Sequence, residues 1–596
     1  MIFEHELGSA IAVVFKDLFG KDLTEGTLVF QATRKEFKGD ITLVVFGLAK
    51  AAGKSPEETG KLIGECLVEK SKIVSSYNVI KGFLNLEIAR PELIKALTSI
   101  RNCDSPLPST GKHILVEYSS PNTNKPLHLG HIRNNLLGYS VGEILKYAGN
   151  RVTKVNIIND RGIHICKSML AWKLFGNGET PDSSGMKGDH LVGKYYVEFD
   201  RRFREEVKEL IQSGKTKEEA ENQAPLISQA RTMLQKWEAA DPETVTLWSM
   251  MNGWVYEGFD VTYKRMGVDF DKIYYESETY LLGKSIVEAG LEKGVLYRRD
   301  DGSVWIDMRN DGLDEKLLLR SDGTSVYMTQ DLGTAVQRHQ DFDFDRMIYV
   351  VGNEQDYHFK VLFHVLHKLG YDWAKRLHHL SYNMVDLPTG KMKSREGTVV
   401  DADDLMDEMR DEAEKITVEL GKMEDPYSKE SKELYEQIGL GALKYFLLKV
   451  DPEKRMLFNP NESIDFNGNT GPFIQYTHAR IKSVLRKAQQ TPGLDVISLE
   501  ELTPDIAIND KEVELIKSIL SFDEMIVDAS NRLSPAIVAN YVYELAKTYN
   551  QFYHDNPIVD LEKLSISRFR LYVSALTAST ISKCLSLIGI VAPEKM

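Results

Sequence analysis

The sequence predicts an α/β protein with a doubly wound parallel sheet, a helical insertion in that sheet, an α+β N-terminal domain and an all-α C-terminal bundle. Strand-like and helical segments alternate from residue 112, a highly charged helical stretch interrupts them at about 185 to 265, and strand-like runs are nearly absent after about 405. Such alternation is typical of a Rossmann-like sheet with helices on both faces. The interruption predicts an insertion between two halves of that sheet.

Length and cysteine usage indicate a multidomain protein of a reducing compartment. At 596 residues the chain exceeds a single core, which predicts roughly three or four domains. Four scattered cysteines without a CxxC pair argue against a disulfide framework and a structural zinc site. We find neither a secretion signal nor an apolar run of about 18 residues. We therefore expect a cytoplasmic protein with no membrane span and no metal held by its own side chains.

The net charge does not decide whether the chain binds nucleic acid. It is −14, from 74 basic and 88 acidic residues, which would count against a small DNA-binding domain. A large protein can still hold RNA through a local patch. One predicted helix carries such a patch, with a solvated helix face as the alternative explanation. Its basic residues are Arg480, Lys482, Arg486 and Lys487.

Four regions follow from this pattern. The first mixes helical segments with strand-like ones such as Asp40–Leu48, and it ends in a loop-like run at 104–111 that is rich in Pro and Ser. The sheet domain, a helical connection and the C-terminal bundle follow. The predicted bounds of the four regions are 1–108, 109–404, 405–464 and 465–596.

The sheet domain begins with a strand, a loop, a helix and a second strand. Lys112–Tyr118 is a buried apolar run, and 119–127 is a loop rich in Pro and Asn. Leu129–Tyr147 has apolar residues near helical spacing, and Arg151–Ile158 predicts the next strand. The order therefore places the start of a helix directly after a strand and a loop.

The sheet's second half and the C-terminal helices complete the pattern. Arg346–Gly352 predicts a strand and Tyr357–Leu369 a helix. Ser534 and Pro535 stand where an N-cap and a first-turn proline belong. Periodic segments predict C-terminal helices at Tyr476–Gln489, Val513–Leu520 and Pro535–Tyr553.

Two short motifs point to ATP chemistry. The first is the run HLGH, in which His128 and His131 lie three residues apart and Gly130 leaves room for a flat adenine. Free N–H groups at a helix start favour a polyphosphate, and the two imidazoles can donate to phosphate oxygens. The second motif is the lysine-rich loop 390–397, which contains Lys391, Met392 and Lys393.

Together these motifs resemble the paired ATP signatures of class I aminoacyl-tRNA synthetases. Lys391 matches the first lysine of the usual second signature, but Ser394 occupies the fourth position and Lys393 stands one place early. One catalytic cation is therefore displaced. Lys125, three residues before His128, is suited to supply it, with a solvent-facing lysine as the alternative. Catalysis in this class is mostly positioning and charge neutralisation of ATP, by Lys, His and Mg²⁺.

Longer runs are similar to the arginyl-tRNA synthetase family. They are 116–122, 321–333, 352–359, 469–481 and the C-terminal VAPEKM. The resemblance implies activation of L-arginine to arginyl-adenylate, then transfer to the 2′-hydroxyl of the terminal adenosine of arginine tRNA. It also implies that five residues bind the substrate arginine. They are Glu117, Asn122, Tyr327, Asp331 and Gln355.

The chemistry of these residue types agrees with an arginine site. A guanidinium is always charged and presents a planar fork of donors, so carboxylates such as Glu117 and Asp331 suit it. Tyr327 can pack on the side chain, and Asn122 and Gln355 can hold the α-amino and carboxylate ends. A pocket that pairs a buried acid with a guanidinium discriminates without editing.

The resemblance also implies tRNA contacts at both ends of the chain. The C-terminal bundle is expected to bind the anticodon, with Arg480, Lys482 and Arg486 as candidates, and the N-terminal domain to contact the tRNA elbow. For the bundle's aromatic residues, core packing is the stronger interpretation, because base stacking requires exposure. We expect a monomer with no DNA partner.

Three alternatives stay open. One is an HxGH nucleotidyltransferase that adenylylates a small metabolite, which would leave both terminal regions unexplained. Another is a synthetase-like tRNA-binding protein with a dead active site. The third is a different specificity, such as cysteine or glutamine, which would not call for two acids in the pocket.

Overall fold

The computed structural model describes residues 3–23, 26–34, 36–386, 400–419, 421, 425–494 and 506–596. Within these ranges no helix is long and apolar enough to cross a membrane. The lysine-rich loop lies outside them, so the predictions for Lys391, Met392 and Lys393 concern residues that are not described.

The N-terminal region is an antiparallel sheet, in the order β1-β2-β4-β3, covered by helices. Its elements are α1 (Glu4–Phe19), β1 (Phe30–Ala32), β2 (Ile41–Val44), α2 (Phe46–Ala52), α3 (Pro56–Lys70), β3 (Val74–Ile80), β4 (Phe83–Ile88) and α4 (Arg90–Thr98). The strand-like interpretation of Asp40–Leu48 is wrong in its second half, where α2 begins at Phe46. This helix continues through Ala49, Ala51 and Ala52, which favour helix, and Gly53 ends it at φ 70°.

The next segment holds the two strands at the centre of the molecule and the helical insertion. Its elements are β5 (His113–Glu117), α5 (Leu129–Tyr147), β6 (Arg151–Ile158), α6 (Ile163–Phe175), α7 (Pro181–Ser184), α8 (Gly188–Gln212), α9 (Lys217–Gln223), α10 (Pro225–Glu238) and α11 (Pro242–Met266). The structure confirms the predicted helix Leu129–Tyr147 and strand Arg151–Ile158 at their predicted bounds. Only helices lie between α6 and the next strand of the sheet.

The second half of the sheet follows. Its elements are β7 (Lys272–Tyr275), α12 (Glu276–Thr279), α13 (Leu282–Glu292), β8 (Tyr297–Arg298), β9 (Val304–Ile306), β10 (Lys316–Leu319), α14 (Tyr327–Phe342), β11 (Arg346–Gly352), α15 (Asp356–Lys368), β12 (Leu377–Tyr382) and β13 (Val385–Asp386). The five-stranded sheet has the order β12-β11-β5-β6-β7, and all its pairs are parallel. The predicted parallel sheet is therefore confirmed. A small antiparallel sheet of β10, β9 and β8 was not predicted.

Helices dominate the rest of the chain. They are α16 (Ala402–Glu419), α17 (Lys429–Leu448), α18 (Pro460–Ser463), α19 (Gly471–Gln489), α20 (Asp510–Leu520), α21 (Phe522–Arg532), α22 (Pro535–Asp555) and α23 (Leu564–Leu587), with β14 (Met456–Leu457) paired to β13. Ser534 and Pro535 start α22 as predicted, but the Ser534 hydroxyl lies 3.2 Å from Asp451 Oδ2 instead of capping the helix. The aromatic residues Tyr549 and Phe552 are fully buried, so the core-packing interpretation holds for both.

Asn134 on α5 ties together the ends of the central strands. Its side-chain oxygen accepts the backbone N–H of Ser119 at 2.6 Å, and its amide donates to Val350 O at 2.7 Å and to Tyr382 Oη at 3.2 Å. Ser119 has φ 63°, a left-handed conformation that turns the chain out of β5. The loop that leads to HLGH is therefore anchored at the carboxyl edge of the sheet, where ligands bind in folds of this type.

Candidate functional site

The two HLGH histidines cap the start of α5. His128 is the N-cap residue, and its Nδ1 accepts the Gly130 N–H at 3.1 Å. His131 Nδ1 accepts the His128 N–H, also at 3.1 Å, and the ring centroids are 3.9 Å apart. Because both Nδ1 atoms accept, each neutral ring carries its proton on Nε2. The local fold therefore fixes the tautomer of both rings.

Electrostatics keep both rings neutral. Burial, with the nearby charge of Lys125, lowers the pKa of His128 to about 4. Burial also lowers the pKa of His131 well below its ordinary value, helped by His128 and Lys125. At pH 7 the rings can thus offer two Nε2–H donors without adding charge.

Gly130 is required by the histidine ring beside it. A Cβ at this position would lie 3.0 Å from His128 Cε1 and 3.7 Å from Met384 Cε. Room for a flat adenine, the reason given from the sequence, stays a prediction beside this contact. A side chain here would push the His128 ring from its capping position.

Lys125 lies beside the histidines and has no counter-charge among the residues that the structure describes. Its effect on the pKa of both rings reports its proximity, and burial alone lowers its own pKa. Among the described residues it has no hydrogen bond or ion pair. A partly buried cation without a partner is suited to receive an anion.

The described residues on both sides of the lysine-rich loop contact HLGH. Leu129 N donates to Val400 O at 3.1 Å, and Ala402 N donates to Leu127 O at 3.0 Å. On the other side, Met384 is the residue that approaches Gly130. Met384 and Val400 therefore both lie next to the two histidines.

An ionic network lies behind this segment. Asp189, His190 and Asp403 have donor atoms close enough together to raise the question of a metal ion. The amino group of Lys187, however, pairs with both Asp189 and Asp403, and His190 Nε2 lies 3.1 Å from Asp403 Oδ2. The Lys187 ammonium group already places a positive charge between Asp189 and Asp403, so the cluster is a poor fit for a divalent cation such as Mg²⁺.

Around the residues predicted to bind arginine, the structure brings three carboxyl groups together at the carboxyl edge. Glu117 ends β5 and forms a buried ion pair with Arg338, whose side chain is 3% exposed. Burial raises the pKa of Glu117, Arg338 lowers it and Asp331 raises it, so Asp331 lies close to this pair. Asp331 Oδ2 is 2.6 Å from His358 Nε2.

Glu276 is the third carboxyl group, and the sequence analysis missed it. It follows β7 directly, and burial raises its pKa to about 7, with Asp160 and Asp331 adding to the shift and Arg161 opposing it. Its only signal in the sequence is its place after a strand of the parallel sheet. Arg338 and His358 were missed too, although His358 belongs to the run 352–359 that carries the resemblance.

The other predicted arginine contacts lie near the same edge and are accessible. Asn122 follows β5 and is bridged to Asn159 beyond β6. Tyr327 starts α14 and is 79% exposed, one helical turn before Asp331 on the same helix face. Gln355 follows β11 and is exposed. That these three side chains converge with Asp331 on one substrate stays a prediction.

The predicted tRNA-binding residues on α19 already have partners within the chain. Arg480 donates to Asn550 and lies over the rings of Tyr476 and Tyr553. Lys482 pairs with Glu594 at 3.1 Å, and Arg486 donates to the Glu594 carbonyl at 3.1 Å. The charged groups of Lys482 and Arg486 therefore lie against Glu594 in the C-terminal segment.

Comparisons with known proteins decide the family. A family profile described as "tRNA synthetases class I (R), catalytic domain" matches residues 93–459, which is more than half of the chain. This chain belongs to the arginine type of class I tRNA synthetases. A second profile, "DALR anticodon binding domain", matches residues 474–596.

Relatives and solved structures agree with this family. The chain is 56% identical to "Arginine--tRNA ligase" of Parabacteroides distasonis and 54% identical to that of Bacteroides thetaiotaomicron, each over 100% of both chains. Its fold is similar to "Thermus thermophilus arginyl-tRNA synthetase", with a TM-score of 0.77 at 24% identity over 100% of both chains. The expected class I fold with a helical C-terminal domain is thereby confirmed.

Proposed function

We propose that this chain is an arginine–tRNA ligase. It activates L-arginine with ATP to arginyl-adenylate, releasing pyrophosphate, and then transfers arginine to the 2′-hydroxyl of the terminal adenosine of arginine tRNA. One observation carries the proposal: the acids Asp331 and Glu276 and the neutral pair His128 and His131 belong to one edge of one parallel sheet. Family membership supports the same activity.

The acidic edge suits a guanidinium. Asp160 and Asp331 raise the pKa of Glu276 and Arg161 lowers it, so a bound arginine side chain would relieve the repulsion among these acids. Glu117 already has a counter-charge in Arg338, which lies against Oε2, and we propose that the other oxygen, Oε1, contacts arginine. Tyr327 packs on the substrate's side chain. Asn122 and Gln355 hold the α-amino and carboxylate ends.

The histidine edge suits ATP. The arginine carboxylate attacks the α-phosphate in line with the departing pyrophosphate, so catalysis depends on positioning and on neutralising phosphate charge. His128 and His131 donate Nε2–H bonds to phosphate oxygens, and Lys125 supplies the cation that the second signature displaces. Lys391, Met392 and Lys393 act from the lysine-rich loop. Mg²⁺ enters with the ATP phosphates, because the Lys187 ammonium group already places a positive charge between Asp189 and Asp403.

The remaining proposals concern tRNA, assembly and compartment. Arg480, Lys482 and Arg486 contact tRNA from the C-terminal bundle, and the N-terminal region 1–108 contacts the tRNA elbow. Opening the Lys482–Glu594 pair is part of the cost of that contact. We propose that the sheet domain spans 109–404, the helical connection 405–464 and the C-terminal bundle 465–596. The protein acts as a monomer in the cytoplasm, without a DNA partner.

Isotope exchange between pyrophosphate and ATP tests the activation step. Exchange that depends on arginine is the expected result, measured with and without tRNA because an enzyme can need its tRNA for this step. Exchange that depends on another amino acid would overturn the assigned specificity. Activity on a small metabolite in place of an amino acid would favour a nucleotidyltransferase.

A further inference from the structure

A cavity lies at the amino edge of the five-stranded sheet, opposite the carboxyl edge that carries Glu117 and Glu276. Its volume is about 690 Å³, and its walls come from the amino ends of β5, β11 and β12 and from helix α21 of the C-terminal bundle. β11 spans seven residues, so at about 3.3 Å per residue the cavity lies roughly 20 Å from the acidic edge. The volume falls in the range of small-molecule sites.

Four cations line this cavity. Each stands just before or at the first residue of a strand: Lys112, Arg346, Lys375 and Arg376. Asp345 is the only carboxylate in the lining, and one of its oxygens accepts the His113 N–H at 2.8 Å. The lining therefore carries an excess of positive charge.

No ion pair within the described part of the chain neutralises this positive charge. Lys112, Arg346 and Lys375 have neither ion pairs nor side-chain hydrogen bonds to any residue that the structure describes. Arg376 makes one bond, to the Phe344 carbonyl at 3.1 Å. Burial lowers the pKa of Arg346 with no opposing contribution. Holding a half-buried guanidinium without a partner costs free energy, and a bound anion would offset that cost.

The lining also has an apolar part, and Thr110, Asn150, Ser530 and Asn531 add neutral polar groups. Ile114, Leu145, Ala148, Leu377 and Val527 contribute aliphatic surface next to the cations. His378 lies in the same wall, where burial and Arg346 lower its pKa to about 4, so it is neutral and adds no charge. The cavity thus has a cationic part for an anion and an apolar part for a flat, weakly polar group.

We propose that this cavity is a binding site for a nucleoside polyphosphate. The phosphates lie against Arg346, Lys375 and Arg376, where the guanidinium groups can bind them bidentately. The base lies against the aliphatic wall beside Val527. A pocket that is partly apolar fits a small molecule better than an RNA backbone, which requires an extended basic track. The proposal does not rest on the arginine–tRNA ligase activity.

Lysine acetylation of the full-length protein, followed by mass spectrometry, tests this site directly. ADP should slow the acetylation of Lys112 and Lys375 by about tenfold at a concentration near ten times its dissociation constant. The rate at Lys429, which lies on α17 with its side chain 87% exposed, should not change. Lys125 reports the proposed ATP site in the same spectrum, so the two sites are read separately.

Variants and other probes decide between occupants. Arg346→Gln should abolish protection of Lys375, whereas Arg532→Gln, which removes an exposed arginine of α21 outside the lining, should preserve it. Tripolyphosphate should protect less well than ADP, and adenosine should not protect. Equal protection by tripolyphosphate would overturn the base subsite. No protection by ADP, or protection only by an RNA duplex, would overturn the proposal while arginine charging remained intact.

Discussion

Asp331 Oδ2 lies 2.6 Å from His358 Nε2, and the Asp331 side chain is 45% exposed whereas that of Glu117 is 7% exposed. The accessible acid of the proposed arginine site therefore contacts a residue of the neighbouring helix α15. Because Glu117 is buried and paired with Arg338, Asp331 is the more accessible of these two carboxylates for a substrate guanidinium.

The first prediction concerns the substitution Asp331→Ala. Removing one partner of a charged hydrogen bond costs about 2 to 3 kcal/mol, so kcat/KM for arginine should fall by roughly 30- to 150-fold. The KM for ATP should change little, since the histidines are untouched. Pyrophosphate exchange at varied arginine and varied ATP separates the two. A defect confined to ATP would contradict the assignment.

Lys125 gives the second prediction. Lys125→Ala should slow arginine activation by at least about tenfold, a barrier change of about 1.4 kcal/mol, because a phosphate counter-charge is lost. Circular dichroism should show an unchanged fold. Lys429→Ala is the matched control, since it removes an exposed lysine elsewhere. Wild-type activation kinetics in Lys125→Ala would refute the role.

The third prediction is a pH dependence set by Glu276. Its pKa is raised to about 7, so a large fraction is protonated at pH 7 in the free protein. Arginine favours the ionised form and lowers that pKa, so binding should release protons, and affinity should fall as the pH drops below about 7. Calorimetry in buffers of different ionisation enthalpy measures the release. Glu276→Gln should lose it, and its persistence would exclude Glu276.

The buried pair of Glu117 and Arg338 gives the fourth prediction. Arg338→Met leaves an uncompensated carboxyl group in the core and should lower the free energy of unfolding by about 3 to 5 kcal/mol. Adding Glu117→Gln should restore part of that loss, because the charge is gone. Denaturant titrations of both variants provide the measurement. Equal stability of single and double variants would show that the pair is not coupled.

Much of the fold follows from local pattern. Leu129–Tyr147 and Arg151–Ile158 were predicted at their bounds, because long apolar periodicity and a buried strand are encoded within each segment. The Asp40–Leu48 run failed at Phe46, where apolar spacing alone does not separate a strand from a short helix. The small sheet of β8, β9 and β10 escaped because its strands are only two to four residues long.

The site was less predictable than the fold. The HLGH motif identifies both histidines. Only the structure shows that each Nδ1 accepts a backbone N–H, which leaves the Nε2–H groups as donors for a phosphate. No local motif marks Glu276 or Arg338, because they come close to Glu117 and Asp331 only when distant segments of the chain fold together. Sequence alone likewise could not show that Glu117 has a buried partner on α14.

Aminoacylation of total tRNA, with each standard amino acid supplied in turn, is the most direct test of the central claim. Charging of arginine alone, through an adenylate and onto the 2′-hydroxyl of the terminal adenosine, is the predicted result. Charging of any other amino acid, or no charging by a folded protein that still binds tRNA, would contradict it.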